Sequence, residues 1–306
     1  MPTQNGPKIA INTFVWYSPL TDQKLAELIP RLANWGYDAV ELAIEEPGSL
    51  DFKAAAVLLA EHGITPVVGA VLPPGRELVA APAETVRTTQ HYLRQCIDAA
   101  VTVGANRVIG PMYAGVGRTW RLEPQERTAL MAELREALRP VADYAGNHGV
   151  CLGLEPLNRY ETSVLNTVAQ AWDVIEELPA EGIGLAPDVY HMNIEEKSIP
   201  AAIRSIGPRL VHLQVCANDR GTPGEDSLDW PGIRRALVAA AFHGIVGIES
   251  FTPDNKVIAT AASIWRPLAE SPDRLAIDGL HFLRNWTADW ERIKPICRPD
   301  VTASEN

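Results

Sequence analysis

The stretch Ile183-Gly184-Leu185-Ala186-Pro187-Asp188-Val189-Tyr190-His191-Met192-Asn193-Ile194-Glu195-Glu196 decides how the chain is read. Ile183 to Ala186 is a short apolar run bounded by Gly182 and Pro187, the pattern of a buried strand. A carboxylate, an imidazole and an amide follow at Asp188, His191 and Asn193. They stand ahead of an expected helix with an acidic first turn, which suits a helix N-terminus. Polar groups on the turn that leaves a buried strand are how parallel α/β enzymes present their chemistry. Asp188 and Asn193 can also be read as helix caps, since both residue types are preferred there.

Moving outward, the same alternation fills the chain. Toward the N-terminus the expected strands are Lys8–Phe14, Ala39–Ile44, Ile64–Leu72, Arg107–Gly110 and Val150–Glu155. Helical stretches lie between them at Asp22–Trp35, Phe52–His62, Ala83–Val103 and Pro124–Asn147. Leu25, Leu28, Ile29 and Leu32 mark one apolar face of the first. A helix over Ala169–Leu178 leads into the quoted stretch. Beyond it come strands Leu210–Val215 and Ile245–Glu249, with helices Trp230–His243 and Asp273–Trp290. Eight strands alternating with helices and no break in composition predict an α/β fold, a single (β/α)8 TIM barrel over residues 1–306. Residues 1–7 and 298–306 read as flexible tails. A doubly wound sheet is the alternative. It would call for a Gly-rich phosphate loop after the first strand, where the chain has Val15-Trp16-Tyr17-Ser18-Pro19.

Composition narrows the function. A net charge of −11 argues against nucleic acid and anionic membrane surfaces as partners. No run is long enough for a transmembrane helix, and Met1–Lys8 lacks the regions of a signal peptide. The four cysteines, Cys96, Cys151, Cys216 and Cys297, show no CxxC spacing, so neither a zinc knuckle nor a disulfide framework is expected. The expected location is the reducing cytoplasm.

Polar residues close consecutive strands. Glu155 ends the fifth, Asp188 the sixth, Gln214 lies late in the seventh and Glu249 late in the eighth. A barrel aims such side chains into one mouth at its C-terminal rim. Carboxylates converging there repel one another unless a cation is present. All-oxygen donors suit Mn²⁺, Mg²⁺ or Co²⁺ better than a structural zinc, so Glu155, Asp188, Gln214 and Glu249 form a candidate metal set. Glu155 can also be read as a solvated loop acid, and Gln214 as an amide that only satisfies backbone groups. Glu41 is read as orienting its neighbours. His212 faces the same way as Gln214, as a supporting or a core histidine. His62, His148 and His243 precede strands and belong to the opposite, structural face.

Two carboxylates flanking a substrate suggest proton abstraction beside a carbonyl. Glu155 and Glu249 are the candidate acid and base, one removing a proton and the other returning it on the opposite face. His191 and Arg220 are placed to hold substrate oxygens. An aromatic mouth of Trp16, Tyr113 and Trp120 would suit a sugar face or an aromatic aglycone, although Trp16 is equally a packing residue.

With these residues in place, the chain resembles the D-tagatose/D-allulose (psicose) 3-epimerase group of xylose-isomerase-like barrels, nearly end to end. The segments that carry the resemblance are Leu154–Glu161, Asp188–Glu196, Asn218–Gly224 and Gly247–Phe251. The resemblance implies that Glu155 and Glu249 are the paired acid/base residues and also metal ligands, with Asp188 a further ligand. It implies that His191 and Arg220 contact the ketose and that Glu161 supports the first glutamate on the substrate side. A divalent metal, with Mn²⁺ ahead of Co²⁺ and Mg²⁺, and dimeric or tetrameric assembly are expected on the same ground. One position departs: the family's histidine ligand falls on Gln214, which looks more like hydroxypyruvate isomerases of the same superfamily.

The leading expectation is therefore a divalent-metal-dependent epimerase or isomerase of a keto sugar. Three alternatives stand beside it. One is the large subunit of a 3-oxo-C-glycoside deglycosidase, a lyase that would need a small second subunit and act on a 3-oxo-glycoside. The others are a hydroxypyruvate-type isomerase and a sugar-binding barrel without turnover.

Overall fold

The computed structural model describes residues 6–290. Eight parallel strands form its centre: β1 (Lys8–Asn12), β2 (Ala39–Ile44), β3 (Thr65–Ala70), β4 (Arg107–Gly110), β5 (Cys151–Leu154), β6 (Ile183–Leu185), β7 (His212–Val215) and β8 (Ile245–Ile248). They pair in the order β6-β5-β4-β3-β2-β1-β8-β7. The remaining seam, between β6 and β7, is joined by parallel bridges Leu185↔Leu210 and Asp188↔Gln214. The sheet thus closes on itself as a (β/α)8 barrel, and the doubly wound alternative falls away. The expected tail over residues 298–306 and Cys297 lie outside the described residues; Cys96, Cys151 and Cys216 are free thiols. Among the described residues no helix is long and apolar enough to cross a membrane.

Ten α-helices surround the barrel in the described region: α1 (Asp22–Trp35), α2 (Phe52–Glu61), α3 (Ala83–Val103), α4 (Pro124–Asn147), α5 (Val168–Ile175), α6 (Val189–Glu195), α7 (Ile199–Ile206), α8 (Trp230–Ala239), α9 (Lys256–Ala261) and α10 (Pro272–Thr287). α1 shows why they form where they do. Thr21 caps its N-terminus by accepting from the Lys24 amide, and Gly36, at φ 96°, closes its end in the left-handed region. Leu25, Leu28, Ile29 and Leu32 face the sheet, as the periodicity predicts.

Strand alternation sorts the core into two layers. Ile9, Ile11, Val40, Leu42, Leu152, Leu154, Val246 and Ile248 point outward and pack on the helices. Ala10, Ala39, Val67, Ile109, Ala186 and Ile245 point inward and form a small apolar cluster inside the barrel. The next inward positions toward the C-terminal rim are polar: Asn12 above Ala10, Glu41 above Ala39, Asp188 above Ala186 and Gly247 then Glu249 above Ile245. The apolar layer therefore floors a polar chamber.

Several element ends shift by a few residues from the sequence reading, and three of the differences have a visible cause or consequence. β1 stops at Asn12 because the Asn12 side chain accepts from the Phe14 amide and turns Thr13–Val15 into a 3-10 helix. α8 ends at Ala239, ahead of the expected His243, with Ala241 in the left-handed region at φ 49°. Most important, Val189–Glu195 is itself helix α6, so Glu195 and Glu196 close a helix and do not open one. Asp188 is its N-cap, accepting from the Tyr190 amide at 2.9 Å. The capping reading of Asp188 is realised.

Candidate active site and metal centre

Glu155 follows directly on β5, and its amide continues the ladder to Gly110 O at 3.1 Å. Glu249 follows on β8 in the same way, its amide donating to Val215 O at 3.1 Å. Asp188 and Gln214 are bridged across the β6–β7 seam. Four consecutive strand ends therefore deliver the four expected side chains to one chamber. Asp188 is fully buried, while Glu155 and Gln214 are nearly so.

Helix α6 adds His191, one turn on from Asp188 and on the same face. Glu155, Asp188 and His191 form a compact buried group whose ligating atoms all lie within 4.8 Å of one another. His191 Nε2 is 3.5 Å from Glu155 Oε1. Glu155 Oε1 and Gln214 Oε1 are buried and have no hydrogen-bond partner. Orphaned buried acceptors call for a partner of positive character. A donor set of carboxylate and amide oxygens with one imidazole fits a divalent cation. The tightest grouping is Glu155–Asp188–His191, whereas Glu249 and Gln214 are held from outside it, by Arg220 and Glu41 respectively.

Arg220 is nearly buried and pairs with the Asp188 carboxylate. It also lies 3.2 Å from Glu249 Oε2 and donates to Glu249 O at 3.3 Å. Its guanidinium packs over the rings of Tyr190 and Phe251, with centroid distances of 4.2 and 4.8 Å. A tight turn sets this pose: the Arg220 amide donates to Ala217 O, the Gly221 carbonyl accepts from the Ala217 amide, and Arg220 itself sits at φ 72°. A non-glycine residue in the left-handed region stores backbone strain, a recurrent feature of functional positions.

Burial dominates the electrostatics. It pushes the Glu155 carboxyl well above the usual carboxylate range, with Glu249 and Asp188 adding to the rise and Arg220 opposing it. Glu249 is pushed up to about 8 by burial, against the pull of Arg220, with Asp188 and Glu41 raising it further. Burial, then the Arg220 charge, holds His191 well below its ordinary value, so the ring is neutral at pH 7. The Asn158 amide donates to His191 Nδ1 at 3.0 Å, and its side-chain Nδ2 lies 2.9 Å from the same atom. The backbone N–H meets Nδ1 and the Arg220 guanidinium meets Nε2 at 3.1 Å, so the ring is held between two groups that only donate. Nε2 is the nitrogen that faces Glu155 and Arg220.

The remaining expected residues are placed as follows. Glu161 accepts from Asn158 Nδ2 at 2.8 Å and so joins the His191 network. The three aromatics do not build the expected mouth. Tyr113 is fully buried, its hydroxyl accepting from the Leu157 amide at 3.2 Å, which makes it a support for the loop after β5. Trp16 stacks on Trp35 with ring centroids 6.2 Å apart and donates to Asp273 at 2.9 Å, a packing arrangement. Trp120 is half-buried under the Arg118 guanidinium, and its amide donates to Ser163. His62 and His148 each contact a carbonyl one turn back in their own helices.

Two residues of the chamber carry no role in the sequence reading: Asn158 and Asn12. Asn12 donates to Glu41 Oε2 at 3.1 Å and approaches Glu249 Oε1 at 3.3 Å. Its signal is present in the sequence, since it is a polar residue closing an apolar strand, as Glu155 is.

Residues 29–286 match the model of the xylose isomerase-like TIM barrel family. The chain is 32% identical to a probable ketose 3-epimerase of Synechocystis sp., covering 92% of this chain and 97% of that protein. It is 30% identical to the ketose 3-epimerase of Arthrobacter globiformis, over 91% and 96% of the two chains. A solved structure of an L-ribulose 3-epimerase superposes with a TM-score of 0.84 at 26% identity, covering 94% of this chain and 96% of that one. The chain belongs to the xylose isomerase-like TIM barrel family and is similar to ketose 3-epimerases.

Proposed function

We propose that this protein is a divalent-metal-dependent keto-sugar 3-epimerase. The observation that carries the reading is the pair Glu155 and Glu249. They are carboxylates from strands three apart in the barrel cycle, so they enter the chamber from different directions. Burial pushes both carboxyls upward, Glu249 to about 8, where a carboxyl holds or releases a proton near neutral pH. The names of the relatives point to the same chemistry.

Glu155, Asp188, Gln214 and Glu249 would hold the cation, with His191 beside them; this donor set suits Mn²⁺, Co²⁺ or Mg²⁺, and the family resemblance puts Mn²⁺ first. When bound, the ion would polarise the ketone and its neighbouring hydroxyl and offset the negative charge that grows on those oxygens. One glutamate takes the proton from the carbon beside the carbonyl. The other returns a proton to that carbon from the opposite face, which inverts it. His191, held at Nδ1 by the Asn158 amide, turns its Nε2 edge toward Glu155 and is placed to contact a substrate oxygen. Arg220, braced by Tyr190 and Phe251, presents its guanidinium to substrate hydroxyls. The apolar layer of Ala10, Ala39, Val67, Ile109, Ala186 and Ile245 closes the chamber from below.

Assembly as a dimer or tetramer belongs to the same reading and rests on the family resemblance. The test of function is direct. Mn²⁺-loaded protein incubated with D-fructose, D-tagatose or L-ribulose yields the C3 epimer, resolved by chromatography. A protein that binds Mn²⁺ but converts none of these ketoses would overturn the reading.

A further inference from the structure

We infer that Glu41 is a positioning residue that fixes which end of the Gln214 amide is offered to the cation. The inference rests on the metal reading above. Glu41 is fully buried, and among the described residues no lysine or arginine pairs with it. Its partners are three side-chain nitrogens. His212 Nε2 lies 2.8 Å from Oε1, while Gln214 Nε2 and Asn12 Nδ2 lie 3.0 and 3.1 Å from Oε2. The barrel makes room for this carboxylate at one strand position. A Cβ on Gly247 would overlap Glu41 Oε1 and fall 3.0 Å from His212 Nε2. Only glycine at position 247 leaves the space that Glu41 fills.

The consequence follows from the chemistry of the amide. Glutamine has a donor end and an acceptor end, and only its oxygen can ligate a cation. Glu41 Oε2 accepts from Nε2 and so leaves Oε1 at the other end of the amide. That oxygen is buried and without a hydrogen-bond partner. Gln214 is also the strand neighbour of Asp188. Without Glu41 the amide is free to rotate and present its NH₂.

The test is the Mn²⁺ affinity of chelator-treated protein, read from the free-ion EPR signal, in a double-mutant cycle. Glu41→Gln is expected to weaken binding about 10-fold to 100-fold, the usual effect of losing a supporting partner of a ligand, and Gln214→Ala at least as much, because it removes the ligand itself. The double variant is expected to bind no more weakly than Gln214→Ala alone, because Glu41 acts through the amide. Effects that multiply in the double variant, or wild-type affinity in Glu41→Gln, would overturn the inference and leave the metal reading standing. Wild-type protein that binds no Mn²⁺ would remove both. Should Glu41→Gln fail to fold, Gln214→Glu serves in its place. It sets a carboxylate oxygen against Glu41 Oε2, so Mn²⁺ affinity is expected to stay at or below the wild-type value despite the added charge. A tenfold rise would overturn the inference.

Discussion

Arg220 lies 3.2 Å from the Glu249 carboxylate, yet the Glu249 carboxyl is still pushed up to about 8. Burial and the neighbouring acids outweigh the guanidinium. Burial is also the largest cause of the rise at Glu155, where Arg220 again opposes it.

A pH signature follows. Groups whose folded pKa exceeds the unfolded value stabilise the fold fully below the unfolded pKa and lose that contribution as pH rises through the folded one. For Glu249 the window runs from the carboxylate reference of 4.5 to about 8. Chelator-treated protein is expected to lose a few kcal/mol, several degrees in melting temperature, across that window. Added Mn²⁺ should restore most at the alkaline end, where it replaces the protons. Thermal melts from pH 5 to 8.5 with and without Mn²⁺ check this; a flat metal-free profile would contradict it.

Gly247→Ala places a methyl group on the Glu41 carboxylate. Because the clash is with a buried, triply held group inside the barrel, about 1–3 kcal/mol of stability or more is expected to be lost. Urea unfolding measures it. Ala substitution at Gly48, where φ is likewise not positive and no atom lies within 4 Å, is the comparison that isolates the Glu41 contact.

Arg220→Ala removes the cation between Asp188 and Glu249. A rise in KM of tenfold or more is expected, together with lower stability, since two buried carboxylates lose their partner. Arg220→Lys should recover part of the stability but little of the substrate affinity, because an ammonium lacks the planar fork. Steady-state kinetics and melts on both variants decide this, and an unchanged KM in Arg220→Ala would refute the substrate role.

The barrel was legible because its strands are short apolar runs that end abruptly in a polar residue. Leu154-Glu155 and Ile248-Glu249 show the edge between the packed layer and the chamber within two letters. Helix α1 was equally plain from its leucine spacing and its Thr21 and Gly36 caps. Helix α6 was not, since a seven-residue helix has too few turns to show a period, and its closing acids imitate an opening turn. The Glu41 network was hidden for another reason. Its partner His212 is 171 residues away, and an inward strand glutamate looks the same in sequence whether it binds, catalyses or orients. Tyr113 shows the reverse error: a loop aromatic reads as a wall of the site, whereas its buried hydroxyl fastens the backbone at Leu157.

The most direct test is proton NMR of Mn²⁺-loaded protein with D-fructose or D-tagatose in heavy water. Deuterium is expected to enter at C3 as the 3-epimer grows, and Glu155→Gln and Glu249→Gln should each slow both processes by about 10²- to 10⁴-fold. Exchange at C1 with an aldose product, or near-normal C3 exchange in either glutamine variant, would contradict the two-glutamate epimerase.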